Sequence, residues 1–215
     1  MRKTGIIIAL ATLFISPLVM AEQNMPRTGI TEDLSGVAGD DGEIQAGMPH
    51  PIPSFIDNGD GTVRDNLTGL IWLKNVNCGG DMSWTDALDW AVSVSDGECG
   101  LSDGSGAGDW RLPNIRELVS LMNFKYRQPA LSNANGSAQW SEGNPFNNGQ
   151  FLQSTALYWT STSAFADNFA HTVNIARGIT ATYDKVNPVN DIGIAVEIYS
   201  WPVKDCSSIG GGGCD

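Results

Sequence analysis

The sequence is poor in the residues that most often carry chemistry. It holds two histidines and twelve Lys or Arg against twenty-four Asp and Glu, for a formal charge of −12 over 215 residues. A field of that sign repels nucleic acid, anionic lipid and sulfated glycans at long range, so no nucleic-acid partner is expected. There is no Cys-x-x-Cys pair, and His50 and His171 stand far from all four cysteines, which removes the usual zinc spacings. No Gly-x-Ser-x-Gly elbow supplies a nucleophile. His171 falls on a predicted strand and reads as a sheet-face histidine in preference to a general base, while His50 lies in a proline-rich stretch. Glycosidase chemistry needs two facing carboxylates, and twenty-four acidic residues offer too many chance pairs to choose one. Beyond residue 20 no segment approaches the roughly 20 uninterrupted apolar residues of a membrane span. No internal repeat occurs.

What is present begins with an export signal. Arg2 and Lys3 precede Gly5 to Met20, which carries no charged side chain, and Val19 and Ala21 supply small residues before a cut at Glu22. Residues 1–21 read as a cleavable signal peptide, whose loss takes the formal charge from −12 to −14 by removing two basic residues. The mature chain is expected in the periplasm or secreted. Its four cysteines, Cys78, Cys99, Cys206 and Cys214, are an even number in an exported chain and favour disulfides. Three pairings are open. The local one, Cys78 with Cys99 and Cys206 with Cys214, is favoured because each pair flanks a Gly-rich polar stretch.

Residues 22–53 show no periodic apolar pattern and end in Met48-Pro49-His50-Pro51-Ile52-Pro53, which reads as an extended, flexible linker. A single domain follows over 54–204, with 205–215 as a Gly-rich, disulfide-tied tail. Turn formers at Asn58 to Gly61 and Asn66 to Gly69 separate short strands at Val63 to Asp65 and Leu70 to Leu73. Asp57, Asn58, Asp60 and Asp65 offer oxygen ligands to calcium. An EF-hand, however, needs its glycine at the sixth position, and counting from Asp57 puts glycine at the third and fifth. A hairpin is therefore favoured and no cofactor is expected.

Ser83, three residues before Asp86, starts a helix with Trp84, Leu88, Ala91 and Val92 on one face. Asn114, three before Glu117, starts a second with Ile115, Leu118, Leu121 and Met122. Strand chemistry returns at Tyr158 to Thr162, at Phe169 to Ile175, after an Arg177-Gly178 turn at Ile179 to Tyr183, and in a final strand from Ile194 to Val203. This order predicts an α+β domain.

Five ordered motifs carry a resemblance. They are Asp57-Asn58-Gly59-Asp60-Gly61-Thr62-Val63, Thr68-Gly69-Leu70-Ile71-Trp72, Asp109-Trp110-Arg111-Leu112-Pro113-Asn114 with Glu117, Tyr158-Trp159-Thr160-Ser161-Thr162, and Trp201-Pro202-Val203-Lys204. Over about Phe55 to Lys204 the chain resembles the Lcl C-terminal domain family. Arg111-Leu112-Pro113 is also similar to the matching step of formylglycine-generating-enzyme-like domains. The resemblance implies a C-type-lectin-like fold, with two helices and a twisted antiparallel sheet. One family member ends a collagen-like adhesin and binds glycosaminoglycans, whereas this chain is acidic and has no collagen triplets.

Read from the residues, the Asp109 to Asn114 motif is structural: Trp110 and Leu112 bury, Pro113 fixes the backbone before the Asn114 cap, and Arg111 pairs with Asp109 or Glu117. Trp72, Trp159 and Trp201 are expected in the core. The polar loop from Arg127 to Thr155 carries Trp140, Phe146 and Phe151 among Asn, Gln, Ser and Gly. It reads either as a sugar or peptide site, with Trp140, Asn144, Phe146 and Asn147 as ligand-binding residues, or as a loop packed on its own aromatics. The functional expectation is an exported, non-enzymatic binding module for a glycan or an envelope or surface protein. An enzyme or accessory factor on the same fold, and a structural subunit of an envelope assembly, are the alternatives.

Overall fold

The computed structural model describes residues 25–33 and 35–206. The expected signal peptide and Cys214 lie outside the described residues. Where the sequence places turn formers, the chain reverses. A turn over 58–61 joins strand β1 (Phe55–Asp57) to β2 (Thr62–Asp65), and a second turn, with Gly69 at φ 76°, leads into β3 (Ile71–Leu73). Asp65 is buried at that second turn and accepts from the Leu67 amide at 2.9 Å and the Thr68 hydroxyl at 2.6 Å. Burial raises its pKa even so.

Both helices start at their predicted caps. Ser83 accepts from the Asp86 amide at the head of α2 (Trp84–Ser93), and Asn114 and Glu117 form a complete capping box on α3 (Ile115–Ser120). The α2 face that buries holds Ala87 and Ala91, with Trp84 and Leu88 at its margin; Val92 is half exposed, contrary to expectation. Two alanines facing the sheet let the helix axis approach it closely, and that contact rotates Val92 outward. On α3 and its end, Leu118, Leu121 and Met122 are buried as expected.

The strands β4 (Leu157–Ser163), β5 (Phe169–Asn174) and β6 (Ile179–Asp184) form an antiparallel meander. The predicted final strand divides. Its first part, β7 (Ile198–Tyr199), lies parallel to β4, and its second, β8 (Val203–Lys204), lies antiparallel to β3. Pro202 has no amide to give to a ladder, and its carbonyl accepts from Leu73, so the chain leaves one sheet and joins the other here. The result is an α+β domain with two four-stranded sheets, ordered β1-β2-β3-β8 and β6-β5-β4-β7, in place of one antiparallel sheet.

Trp201, at that crossing, is fully buried and meets Trp72, Phe146, Phe151 and Tyr158 with ring centroids 4.9 to 5.8 Å apart. Its indole N–H donates to the Leu73 carbonyl at 2.9 Å, so the polar edge is satisfied inside the core. A second, smaller cluster fills the space between α2 and the meander around Trp159 and Ile198.

The expected linker is not free over its described part. The Arg27 amide donates to the Met48 carbonyl and the Met48 amide to the Met25 carbonyl, both at 2.8 Å, Phe124 donates to the Thr28 carbonyl at 2.7 Å, and His50 Nε2 lies 3.0 Å from the Arg27 carbonyl. A one-turn helix α1 (Asp41–Ile44) is capped by Asp40. Without an apolar period the segment is held by backbone and side-chain hydrogen bonds, which a hydrophobicity pattern does not register.

Candidate functional site

The loop between α3 and β4 has no regular structure, yet its aromatic rings point inward. Trp140 is 4% exposed; its indole N–H donates to the Phe146 carbonyl at 3.3 Å, and its ring meets Phe151 edge-on at 4.9 Å. Phe146 is fully buried between Phe55 and Trp201. The expected exposed platform of Trp140 and Phe146 is therefore replaced by core packing. A long loop that left three large rings in water would forfeit the burial that holds it in place. Asn144 is also structural, since its side-chain oxygen accepts from the Ala134 amide at 3.0 Å and ties the loop to itself.

Asn147 differs from the other three. Its backbone is locked to the residues after β3, with the Asn147 amide donating to Lys74 and the Val76 amide donating to Asn147, both at 3.0 Å. That pairing fixes Asn147 in the wall of a half-open polar cleft of about 350 Å³, near the low end of the usual ligand-pocket range. Asn147, Asn75 and Lys74 line one side of the cleft, and Gly59, Gly61, Cys99 and Gly100 line the other. Gly61 and Gly100 approach each other closely: a Cβ on Gly61 would stand 2.3 Å from the Gly100 carbonyl oxygen, and its φ is 85°, so only glycine fits.

Two non-glycine residues at the rim, Cys99 and Asn148, also have left-handed backbone, with φ 53° and 55°. Such positions store strain and persist where the surroundings over-determine them. Cys99 is held by its disulfide to Cys78, with the Cα atoms 5.6 Å apart, as expected from sequence. Asn148 is held by its amide bond to Glu142 at 2.6 Å and its side-chain bond to Asn75 Oδ1 at 2.9 Å. Cys206 is also disulfide-bonded, while the expected pairing with Cys214 reaches outside the described residues.

The charges at the cleft are internally balanced. Lys74 Nζ lies 2.6 Å from Asp57. Burial works against the charge on Asp57, but its bonds from Lys74 and the Gly59 amide outweigh that and hold the carboxyl below its usual value. Asp60 accepts from the Thr62 amide and hydroxyl. Among the described residues the Asn147 Oδ1 is buried without a hydrogen-bond partner. Such an atom costs about 1–3 kcal/mol unless a ligand or water satisfies it.

The family model of the Lcl C-terminal domain matches residues 61–191. The chain belongs to the Lcl C-terminal domain family. No curated protein and no solved structure compared with the chain matches it. The family match includes the cleft residues Gly61, Lys74, Asn75, Cys99, Gly100 and Asn147. β1 and β8, which flank and complete the first sheet, fall outside the matched range.

None of Asp109 to Glu117 lines the cleft. Trp110 and Leu112 are buried, Pro113 is buried before the cap, and Arg111 grips Glu117 with two bonds of 2.8 Å and Asp205 with one of 2.9 Å. Of its two expected partners Arg111 takes Glu117, because Asp109 is turned to the Gly106 amide at 2.8 Å. Neither histidine lines the cleft: His171 sits on β5 opposite Thr182, and His50 is in the N-terminal segment.

Of the four residues expected to bind ligand, Trp140, Asn144, Phe146 and Asn147, the structure brings Asn147 to the cleft, where Cys99 of the expected disulfide also lies. Lys74, Asn75 and Gly100 were not singled out from sequence. The available signal was the density of turn-forming, left-handed-tolerant residues in three separated loops, of which only one was read as a site.

Proposed function

We propose that this chain is an exported, non-enzymatic binding module, working in the periplasm or outside the cell, that recognises a glycan through the cleft between the Gly59 to Gly61 turn and Asn147. The observation that carries the reading is the preformed polar cleft, with Asn147 fixed in its wall by two backbone bonds. Preformed clefts with a few fixed polar groups are what small polar ligands occupy. The cleft presents an ion-paired lysine and carboxamides, with no nucleophile and base in contact, which favours recognition over catalysis. The helices α2 and α3 and the two sheets, the first completed by β8 near the C-terminus, are compatible with the C-type-lectin-like fold implied by the family resemblance. The disulfide suits an oxidising compartment, and among the described residues no helix is long and apolar enough to cross a membrane.

The test is a binding screen of the purified mature chain against glycans and envelope proteins, with and without calcium, repeated with Asn147→Ala. Glycan binding that Asn147→Ala abolishes and calcium leaves unchanged is the expected result. Binding to an envelope protein alone, indifferent to Asn147, would replace the glycan reading with the protein-partner one.

A further inference from the structure

We infer that strand β6 is the contact surface of a two-fold dimer, in which it pairs antiparallel with β6 of a second copy of this chain. The first ground is that β6 is the edge left bare. A sheet edge offers unpaired N–H and C=O groups that template another strand, and proteins ordinarily cover them. The two sheets have four edges, β1, β8, β6 and β7. At β1 the Phe55 amide donates to the Ala134 carbonyl, at β8 Val203 and Arg111 exchange backbone bonds, and at β7 Asp81 bridges Tyr199 while the Met82 amide donates to Ile198. Among the described residues no segment besides β5 pairs with β6. The Lys185 amide donates to the Asn168 carbonyl, and Asp184 stands opposite Phe169. The alternation of an antiparallel ladder then gives the backbone groups of Ile179, Ala181 and Tyr183 to β5 and turns those of Thr180, Thr182 and Asp184 outward. Nor is this edge blunted. Ile179 to Tyr183 holds no charge, proline or glycine, and Ile179, Thr180 and Thr182 are exposed.

The second ground is that the strand complements itself, which makes the occupant a second copy. Turned about a two-fold axis at Ala181, two copies set Thr180 of one opposite Thr182 of the other, so the outward backbone groups meet in register. Ile179 falls opposite Tyr183 twice, in the closer, non-hydrogen-bonded pairs, and Ala181 faces itself with nothing large to clash. Thr with Thr, and a β-branched side chain with an aromatic one, are favourable cross-strand pairs. Asp184, the one charge on the strand, comes opposite Gly178 and beside Arg177, so each end of the ribbon joins opposite charges. Lys185 does not oppose Arg177, because its Nζ is turned back to the Ser163 hydroxyl and the Asp167 carbonyl at 3.0 and 2.8 Å, over the Trp84 ring. The formal charge of −12 on each copy works against association, but salt screens it beyond about 8 Å. A six-residue ribbon buries less than a standard interface, so the dimer belongs to the weak class that exchanges with monomer.

The experiment is sedimentation equilibrium of the purified mature chain from about 1 μM to about 1 mM, at about 0.15 M salt. No arm of it involves the cleft, so failure here leaves the glycan reading standing. The weight-average mass should rise with concentration from the monomer value toward twice that value. Thr182→Pro deletes an outward amide that β5 does not use, and should move the half-dimer concentration upward about tenfold or more. Ala181→Cys gives a gain of signal that does not depend on how well the strand tolerates proline. That residue faces itself across the axis with Cα atoms about 4.5 Å apart, within disulfide reach, so mild oxidation should produce a covalent dimer on non-reducing gels. Thr180→Cys, no less exposed but set opposite Thr182, should link about tenfold less. A monomer at every concentration overturns the inference, as does equal linking at the two positions, or a dimer that Thr182→Pro leaves unchanged and Ala181→Cys does not link. A chain that stays monomeric yet binds a labelled peptide of residues 177–185 would give the edge to an extended segment of another protein, and would overturn the second-copy pairing in that way.

Discussion

Replacing Trp140 by Ala separates the two readings of the long loop. The indole is 4% exposed, packs edge-on against Phe151 at 4.9 Å, and gives its N–H to the Phe146 carbonyl. Truncating a core Trp typically costs about 3–5 kcal/mol from lost burial and the residual cavity. Here the Phe146 carbonyl also loses its donor. For a domain of this size each kcal/mol moves Tm by about 2–4 °C, so a fall of about 6–20 °C is expected. Asn147→Ala should shift stability by no more than about 0.5 kcal/mol, because its side-chain oxygen has no hydrogen bond to lose. The assay is thermal and urea unfolding followed by far-UV circular dichroism, which does not depend on the fluorescence of the deleted ring. Ligand binding by Trp140→Ala, measured well below its Tm, should also weaken, since Phe146 precedes Asn147 and its carbonyl is held by that indole. A Trp140→Ala variant melting within about 2 °C of wild type would refute the assignment of the ring to the core.

Two further outcomes follow from the same geometry. Replacing Cys78 and Cys99 by Ala opens a loop of sequence separation 21, and chain entropy sets the expected loss at about 3 kcal/mol, read as a lower urea midpoint; an unchanged midpoint would show that the link does not constrain the unfolded chain. His50 is held below its usual 6.5 by burial, against the raising effect of the Arg27 carbonyl, so its neutral form favours the docked N-terminal segment. That contribution is complete above the unfolded value and is lost as pH falls through the lower folded one. Hydrogen exchange at the Arg27 and Met48 amides, corrected for intrinsic rates, should therefore quicken from about pH 7 to about pH 5. His50→Phe should remove that pH dependence.

The parts of this protein legible in its sequence were those fixed by neighbours in the chain. Ser83 and Asn114 cap helices because their side chains reach amides two or three residues on, and Gly69 and Gly178 turn the chain because each tolerates φ near 70°. Cys78 and Cys99 pair across a short, Gly-rich stretch for the same local reason. What escaped were outcomes decided between distant segments. The stretch from Ile194 to Val203 has the composition of one strand, but each half finds a different sheet, and only the missing amide of Pro202 hinted at the break. Trp140 and Phe146 stand in a polar loop that suggests exposure, yet Phe55 and Trp201, from opposite ends of the domain, sandwich Phe146, and Phe151 covers Trp140. The same inward packing explains the site. With its aromatic residues committed to the core, the loop can offer the cleft only backbone and amides, and the position that is offered, Asn147, is the one whose backbone bonds lock it beside Lys74 and Asn75 while its neighbour Phe146 anchors it from within. Recognition by such a cleft depends on the rigidity of the core beneath it, so mutations at Trp201 or Phe151 should weaken ligand binding in proportion to the stability they remove, whereas Asn147 variants should weaken binding with stability intact.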